Sequence, residues 1–232
     1  MRGRTVFKDR RDEVRAYLAY LFDFETTILR DKRKKRAGFF FKVAKANLFV
    51  MLYNLVESTT FICLEDIEQA FASNGLTHKK VTEKVRVEWL KQFCRDDRLR
   101  KTNQEDQHKL FLEVVMTVVE DKILQPLGTK NMTDSNINQH VIHSVSDRLG
   151  VAMTGGADGE SLEIIRTLRN SLAHGNEKFS VIGSPYSVQD LEEHANKCFS
   201  FIERFVCSVE SYIRHQRFRV KRRRRVAPPA PP

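Results

Sequence analysis

Arg169-Asn170-Ser171-Leu172-Ala173-His174, followed by Gly175, sets a permanent cation, a side-chain amide and a titratable imidazole within one short segment. Arginine's planar fork matches two non-bridging phosphate oxygens at once. Histidine, with an ordinary pKa of about 6.5, serves as base or acid near neutrality. Asn170 adds an amide able to orient either the imidazole or a phosphate. The set suits cleavage of RNA by its own 2′-hydroxyl, which calls for proton transfer and for stabilisation of charge on a crowded phosphate. That chemistry needs no metal or cofactor.

Helix geometry constrains the pair. At 3.6 residues per turn, Arg169 and His174 point about 140° apart on an unbroken helix, so one face cannot carry both. Two resolutions are open. Gly175 is the preferred left-handed residue just past a helix, which places His174 in the last turn or the bend beyond it; a protonated histidine there is favoured by the helix dipole. Alternatively, two copies of the chain pair and each contributes to a composite cleft.

Arg169-Asn170-x-x-x-His174, inside Leu168-Arg-Asn-Ser-Leu-Ala-His-Gly175 at the end of an amphipathic helix, resembles the signature of the HEPN superfamily (higher eukaryotes and prokaryotes nucleotide-binding). The order of segments is similar too. A long apolar helix bearing Asn47, Tyr53 and Glu57 comes first, then an Asn-Ile-containing helix ending at Gly150, the motif, and a long final helix. The resemblance covers most of residues 40–213 and is to the prokaryotic branch predicted to act as ribonucleases in toxin and anti-phage systems. It implies a dimeric, metal-independent endoribonuclease with Arg169 and His174 as the active pair, Asn170 as their companion, and an antitoxin or defence-system protein as a further partner. One departure stands out. Some members carry a tyrosine two residues after the histidine for modification by a partner nucleotidyltransferase, and here that position is Asn176.

The elements that must hold this motif read as all-α: a HEPN-like helical bundle with additional helices and a basic, proline-rich tail. Apolar spacing predicts a helix over 7–36, broken at Gly38. A second, over 39–72, is apolar on nearly all sides and so central. Asn74-Gly75 marks a turn. Helices over 81–95, with Trp89, and 106–124 follow, and residues 76–135 read as a possible insertion. A helix over 137–149 is capped by Ser135 or Asn136 and stopped by Gly150, and Asp158 is the candidate cap of the motif helix. Ser187-x-x-Asp190 forms a capping box. It opens a helix whose Leu191, Ala195, Cys198, Ile202, Phe205, Val209 and Tyr212 repeat at four-three spacing. Residues 1–213 read as one domain and 214–232 as the tail.

Glu57 lies in the most apolar helix beside Tyr53 and Asn54. If buried, it needs a partner such as Arg166 or Arg169 and would orient the catalytic arginine; as an exposed helix acid it would do neither. His140 and His143 share a face without the cysteines or carboxylates of a metal set, and read as surface residues. Cys63, Cys94, Cys198 and Cys207 show no pairing pattern and read as buried free thiols of a reducing compartment.

The net charge of +10 is segregated to the ends. Residues 1–42 hold thirteen basic and six acidic side chains, and 214–232 hold eight basic and none acidic. Arg33, Lys34, Lys35 and Arg36, and Lys221, Arg222, Arg223, Arg224 and Arg225, form the dense clusters, each able to displace counterions from a nucleic-acid backbone without reading its sequence. The terminal Val226-Ala-Pro-Pro-Ala-Pro-Pro232 cannot continue a helix. The N-terminus lacks the pattern of a secretory signal. The most apolar stretch, 39–56, is interrupted by Lys42 and Lys45 and is short for a membrane span, so a cytoplasmic protein acting on RNA without a membrane is expected. Two other readings compete: an inactive regulatory or nucleotide-binding module on the same scaffold, and a nucleic-acid adaptor acting through its basic ends.

Overall fold

The computed structural model describes residues 1–30, 34–95, 104–124, 127–128, 132–133, 136–153 and 159–220. Among them lie eight helices: α1 (Arg2–Arg30), α2 (Lys34–Ser73), α3 (Glu83–Arg95), α4 (Gln104–Val119), α5 (Gln139–Leu149), α6 (Glu160–Ala173), the single turn α7 (Phe179–Ile182) and α8 (Val188–Arg214). Extended structure among the described residues is confined to two isolated bridges, Thr77 with Ile123 and Val81 with Arg219. The chain is all-α.

Helices α1 and α2 form an antiparallel hairpin. Phe7, Val14, Leu18 and Leu21 of α1 recur at spacings of seven, four and three and are buried along one stripe. The pairing is pinned at the start of α1 and again at its middle. Gly3 N–H donates to Asp66 Oδ2 at 2.8 Å, and the Tyr17 hydroxyl donates to the Ala44 carbonyl at 2.9 Å. A Cβ on Gly3 would lie 2.5 Å from Cys63 Sγ and 3.3 Å from the Cys63 backbone, so only glycine permits this approach. The reversal falls between Arg30 and Lys34, inside the basic run, and not at Gly38. Helix α2 passes through Gly38 unbroken, because a glycine in a helix costs only about 1 kcal/mol relative to alanine, far less than the buried contacts along α2 supply.

Helix α2 is the central post and packs against α1, α6, α7 and α8. By length and composition its Arg36–Ser73 stretch is long and apolar enough to cross a bilayer, a longer stretch than the one read from sequence. In this fold Leu48, Phe49, Leu52, Leu55 and Val56 are buried by the surrounding helices instead. Lys45, which seemed to interrupt the apolar run, is itself buried. Its ammonium donates to the Tyr186 carbonyl and sits 5.0 Å from the Phe41 ring centroid, while burial pushes its pKa below the usual lysine value.

The remaining elements close the core. The capping box at Ser187 and Asp190 is formed, and every member of the four-three seam of α8 is buried. Gly150 stops α5 at φ +80°, but the cap of α5 is Asn138, whose Oδ1 accepts from the Val141 N–H, and neither Ser135 nor Asn136. The motif helix α6 begins at Gly159 without a side-chain cap; Asp158 lies outside the described residues. The region read as an insertion divides in two. Helix α3 commits Val85 and Trp89 to the shared core, whereas α4 has no buried residue. The boundary at residue 213 also moves. Phe218 is fully buried against Phe71 and Tyr212, and Val220 N–H donates to the Lys80 carbonyl, so residues 215–220 pack onto the body.

Glu88 ties α3 to α5. Nearly buried, it accepts from Lys91 Nζ at 2.8 Å and from Arg148 Nη2. Burial alone would raise its pKa, but the hydrogen bonds from Arg148 and Lys91 outweigh it and hold the carboxyl below its ordinary value. Because the folded pKa is depressed, the pair's contribution is present above the unfolded value of about 4.3 and is lost as pH falls through the folded one. Arg148→Met, which leaves Lys91 as the carboxylate's remaining cation among the described residues, should destabilise the protein by about 2 kcal/mol in urea denaturation at neutral pH. Adding Glu88→Leu should recover most of that, and the Arg148→Met deficit should shrink below about pH 4. A deficit unchanged by pH and by the second substitution would assign the loss to packing alone.

Candidate functional site

The motif helix places Arg169 by the same rule that places its core residues. Leu162, Ile165, Arg169 and Leu172 follow a three-four-three spacing, so the arginine occupies a position in the inward-facing stripe of α6. It turns onto α2, where its guanidinium carbon lies 4.1 Å from the centroid of the Tyr53 ring. Arg169 Nη1 donates to Asn170 Oδ1 at 3.0 Å, and Asn170 Nδ2 donates to Asn136 Oδ1 at 2.9 Å. The arginine is half-buried and directed by a ring below it and an amide beside it.

Three consecutive residues before α5 complete this arrangement. Asn136 receives Asn170, Ile137 N–H donates to the Tyr53 hydroxyl oxygen at 3.1 Å, and Asn138 Nδ2 donates to Glu163 Oε2 at 3.0 Å. Burial, with the Glu57 charge added, holds the Tyr53 phenol above its usual pKa despite the Ile137 hydrogen bond and nearby Arg169. The phenol therefore stays neutral, and its O–H points to Glu57 Oε1 at 3.4 Å. Sequence reading named Tyr53 without a role and missed Asn136 and Asn138 as site residues. The available signal was the Asn-Ile-Asn run at a helix start, where side-chain amides reach across to neighbours.

Glu57 is neither fully exposed nor paired with Arg166 or Arg169; the Tyr53 hydroxyl is the partner observed, and the Tyr53 ring holds Arg169 on its face. Arg166 instead grips Glu163, through Nη2 and, at 3.2 Å, through Nε. The Arg166 hydrogen bond is the main cause of the lowered Glu163 pKa.

His174 is the C-cap of α6, at φ −88° and ψ −1°, and Gly175 follows at φ +69° in the left-handed region. The final-turn placement inferred from Gly175 is what the chain adopts. The imidazole is exposed and, among the described residues, makes no side-chain hydrogen bond, whereas Arg169 faces α2. One protomer thus does not join the two side chains directly, as expected for positions five residues apart on one helix.

The other sequence candidates lie apart. Arg36 is exposed near the start of α2, and Lys34 and Lys35 belong to its first turn. Arg33 and Lys221, Arg222, Arg223, Arg224 and Arg225 lie outside the described residues. His140 and His143 are exposed, the latter edge-on to Phe201. Cys63 and Cys198 are buried, and burial pushes Cys198 up to about 12. Cys207 is exposed and accepts from Arg4 Nη2 at 3.2 Å, contrary to the reading of all four cysteines as core; its place on α8 lies outside the buried four-three seam. Among the described residues no three histidine, cysteine or acidic side chains gather as a metal site.

The Tyr53 linkage is directly testable. Tyr53→Phe leaves the Ile137 N–H without its acceptor and should lower stability by about 1 to 3 kcal/mol. Tyr53→Leu also removes the ring face beneath Arg169, an interaction of about 0.5 to 2 kcal/mol. Chemical denaturation of both variants measures the two steps, and a Tyr53→Phe variant as stable as the wild type would discard the hydrogen bond to Ile137.

A family model described as MAE_28990-like HEPN matches residues 5–218. No curated protein and no solved structure matched the chain. HEPN domains are associated with ribonuclease-type and related functions, and some members are inactive. With the match running through nearly the whole chain, from α1 past α8, the protein belongs to the HEPN superfamily.

Proposed function

We propose that the protein is a metal-independent endoribonuclease that cuts RNA by 2′-hydroxyl attack. The observation that supports this most is the held guanidinium of Arg169, directed by Tyr53 and Asn170, on the same helix that presents an exposed His174 at its end. Arg169 spends one donor on Asn170; an arginine side chain has five. Those remaining are suited to a phosphate's non-bridging oxygens.

In the proposed reaction His174 takes the proton of the 2′-hydroxyl, and O2′ attacks phosphorus as Arg169 stabilises the added charge. The bond from phosphorus to the 5′-oxygen breaks, and that oxygen receives a proton from an imidazolium. The products are a 2′,3′-cyclic phosphate and a 5′-hydroxyl. Among the described residues no hydrogen bond joins Arg169 to His174 within one protomer, and a homodimer that sets two copies of the motif around one cleft supplies the convergence. Asn170 then positions Arg169 and does not touch the reacting atoms. The setting is a cytoplasmic toxin or anti-phage effector with an antitoxin or defence-system partner, by analogy with the prokaryotic branch of the superfamily. The same observation favours, as second reading, an inactive HEPN-type binding module.

Purified wild type, Arg169→Ala and His174→Ala, incubated with single-stranded RNA in EDTA, separate these readings. The wild type should yield fragments ending in cyclic phosphate. His174→Ala should cut about 10² to 10⁴-fold more slowly, and Arg169→Ala about 10² to 10³-fold more slowly. Intact RNA with all three proteins, alongside measurable nucleotide binding, would establish the inactive module.

A further inference from the structure

Between the C-terminal half of α1 and the first turns of α2 lies an aromatic groove that the motif chemistry does not use. Tyr20 and Phe24 of α1, Phe40 and Asn47 of α2, and Phe179 of α7 line an open depression of about 500 Å³. Its rings are presented to solvent: Tyr20 is 55% exposed, Phe40 53% and Phe179 37%. Tyr20 and Phe24 lie nearly parallel, with an interplanar angle of 10° and centroids 5.8 Å apart. Single exposed apolar residues are ordinary on protein surfaces, but rings gathered in one groove are not.

Charge selects the occupant. On α2 the groove-lining positions Phe40, Ala44 and Asn47 continue one turn earlier to Arg36, which is exposed on the same face. Lys178, also exposed, directly precedes Phe179. In sequence, residues 30–42 hold seven basic side chains and one acid. Aromatic faces flanked by cations match single-stranded nucleic acid, whose bases stack on the rings as its phosphates meet the charges. A second protein copy, as basic as this one, would meet like charge there. The groove is also within reach of the motif: Phe179 is five residues after His174, at most about 18 Å along an extended chain.

We propose that this groove is a base-stacking platform for single-stranded RNA, holding unpaired nucleotides that flank the cut phosphate. It rests on the ribonuclease reading for its substrate, and names that substrate as unpaired. Asn47, which lines the groove and is exposed, offers an amide to a base edge.

The test is binding to a fluorescent 2′-O-methyl oligouridylate of about twelve nucleotides, which cannot be cut by 2′-hydroxyl attack, against an abasic strand of equal charge, read by anisotropy. Tyr20→Leu, Phe40→Leu and Phe179→Leu keep an apolar side chain and should each weaken oligouridylate binding about tenfold. Phe40→Tyr should bind like the wild type, and the abasic strand should not distinguish any of them. Unchanged oligouridylate affinity in the leucine variants, or equal losses on the abasic strand, would overturn the platform. So would leucine variants that change only the oligomeric state in sedimentation, which would make the groove an interface between copies. The two readings fail separately. If His174→Ala still cleaves unmodified RNA, the assignment of His174 falls and the binding result stands; if the leucine variants bind normally, the platform falls whatever the cleavage.

Discussion

The stacking of Arg169 on Tyr53 is the interaction on which the rest of this site depends. It places a charged side chain in a position of the buried stripe of α6, where a guanidinium is tolerated because an aromatic face and an amide oxygen replace part of its hydration. Tyr53 performs this role only while its own hydroxyl is satisfied, and the Ile137 N–H satisfies it. The residues on either side of Ile137 then fasten the same segment to α6, Asn136 through Asn170 and Asn138 through Glu163. Helices α2 and α6 and the segment leading into α5 meet at one small polar cluster, and each member of it is positioned by another.

Such a cluster requires a rigid support, which α2 provides. Its central residues are buried, and packing on several sides removes the freedom to rotate that an amphipathic surface helix would retain. The buried ammonium of Lys45 is part of this support, joining α2 to the Tyr186 carbonyl just ahead of α8. The basic run between α1 and α2 falls at the far end of the hairpin from the Gly3 contact.

Much of the fold was legible in the order of residues. The four-three repeat of α8, its capping box, the stop at Gly150 and the turn at Gly75 are local codes, in which nearby side chains and backbone sterics decide the conformation. The misreadings came where local and long-range terms compete. Gly38 has a breaker's propensity, yet the helix runs through it because its neighbours are held elsewhere in the fold. Phe218 sits in a basic stretch that reads as tail, and it is drawn into the core by Phe71 and Tyr212, more than a hundred and a few residues away respectively.

The amino-acid order alone determined an all-α chain, the motif at the end of its helix, and the angular separation of Arg169 from His174, because helical periodicity fixes which side chains share a face. Tertiary structure alone decided that Arg169 of α6 rests on Tyr53 of α2, that the Ile137 N–H bonds to the Tyr53 hydroxyl, and that Asn138 reaches Glu163. Those pairings join residues 25 or more positions apart. Which of several available partners a charged group takes depends on how the helices pack, and that is a property of the assembled core that no local pattern encodes.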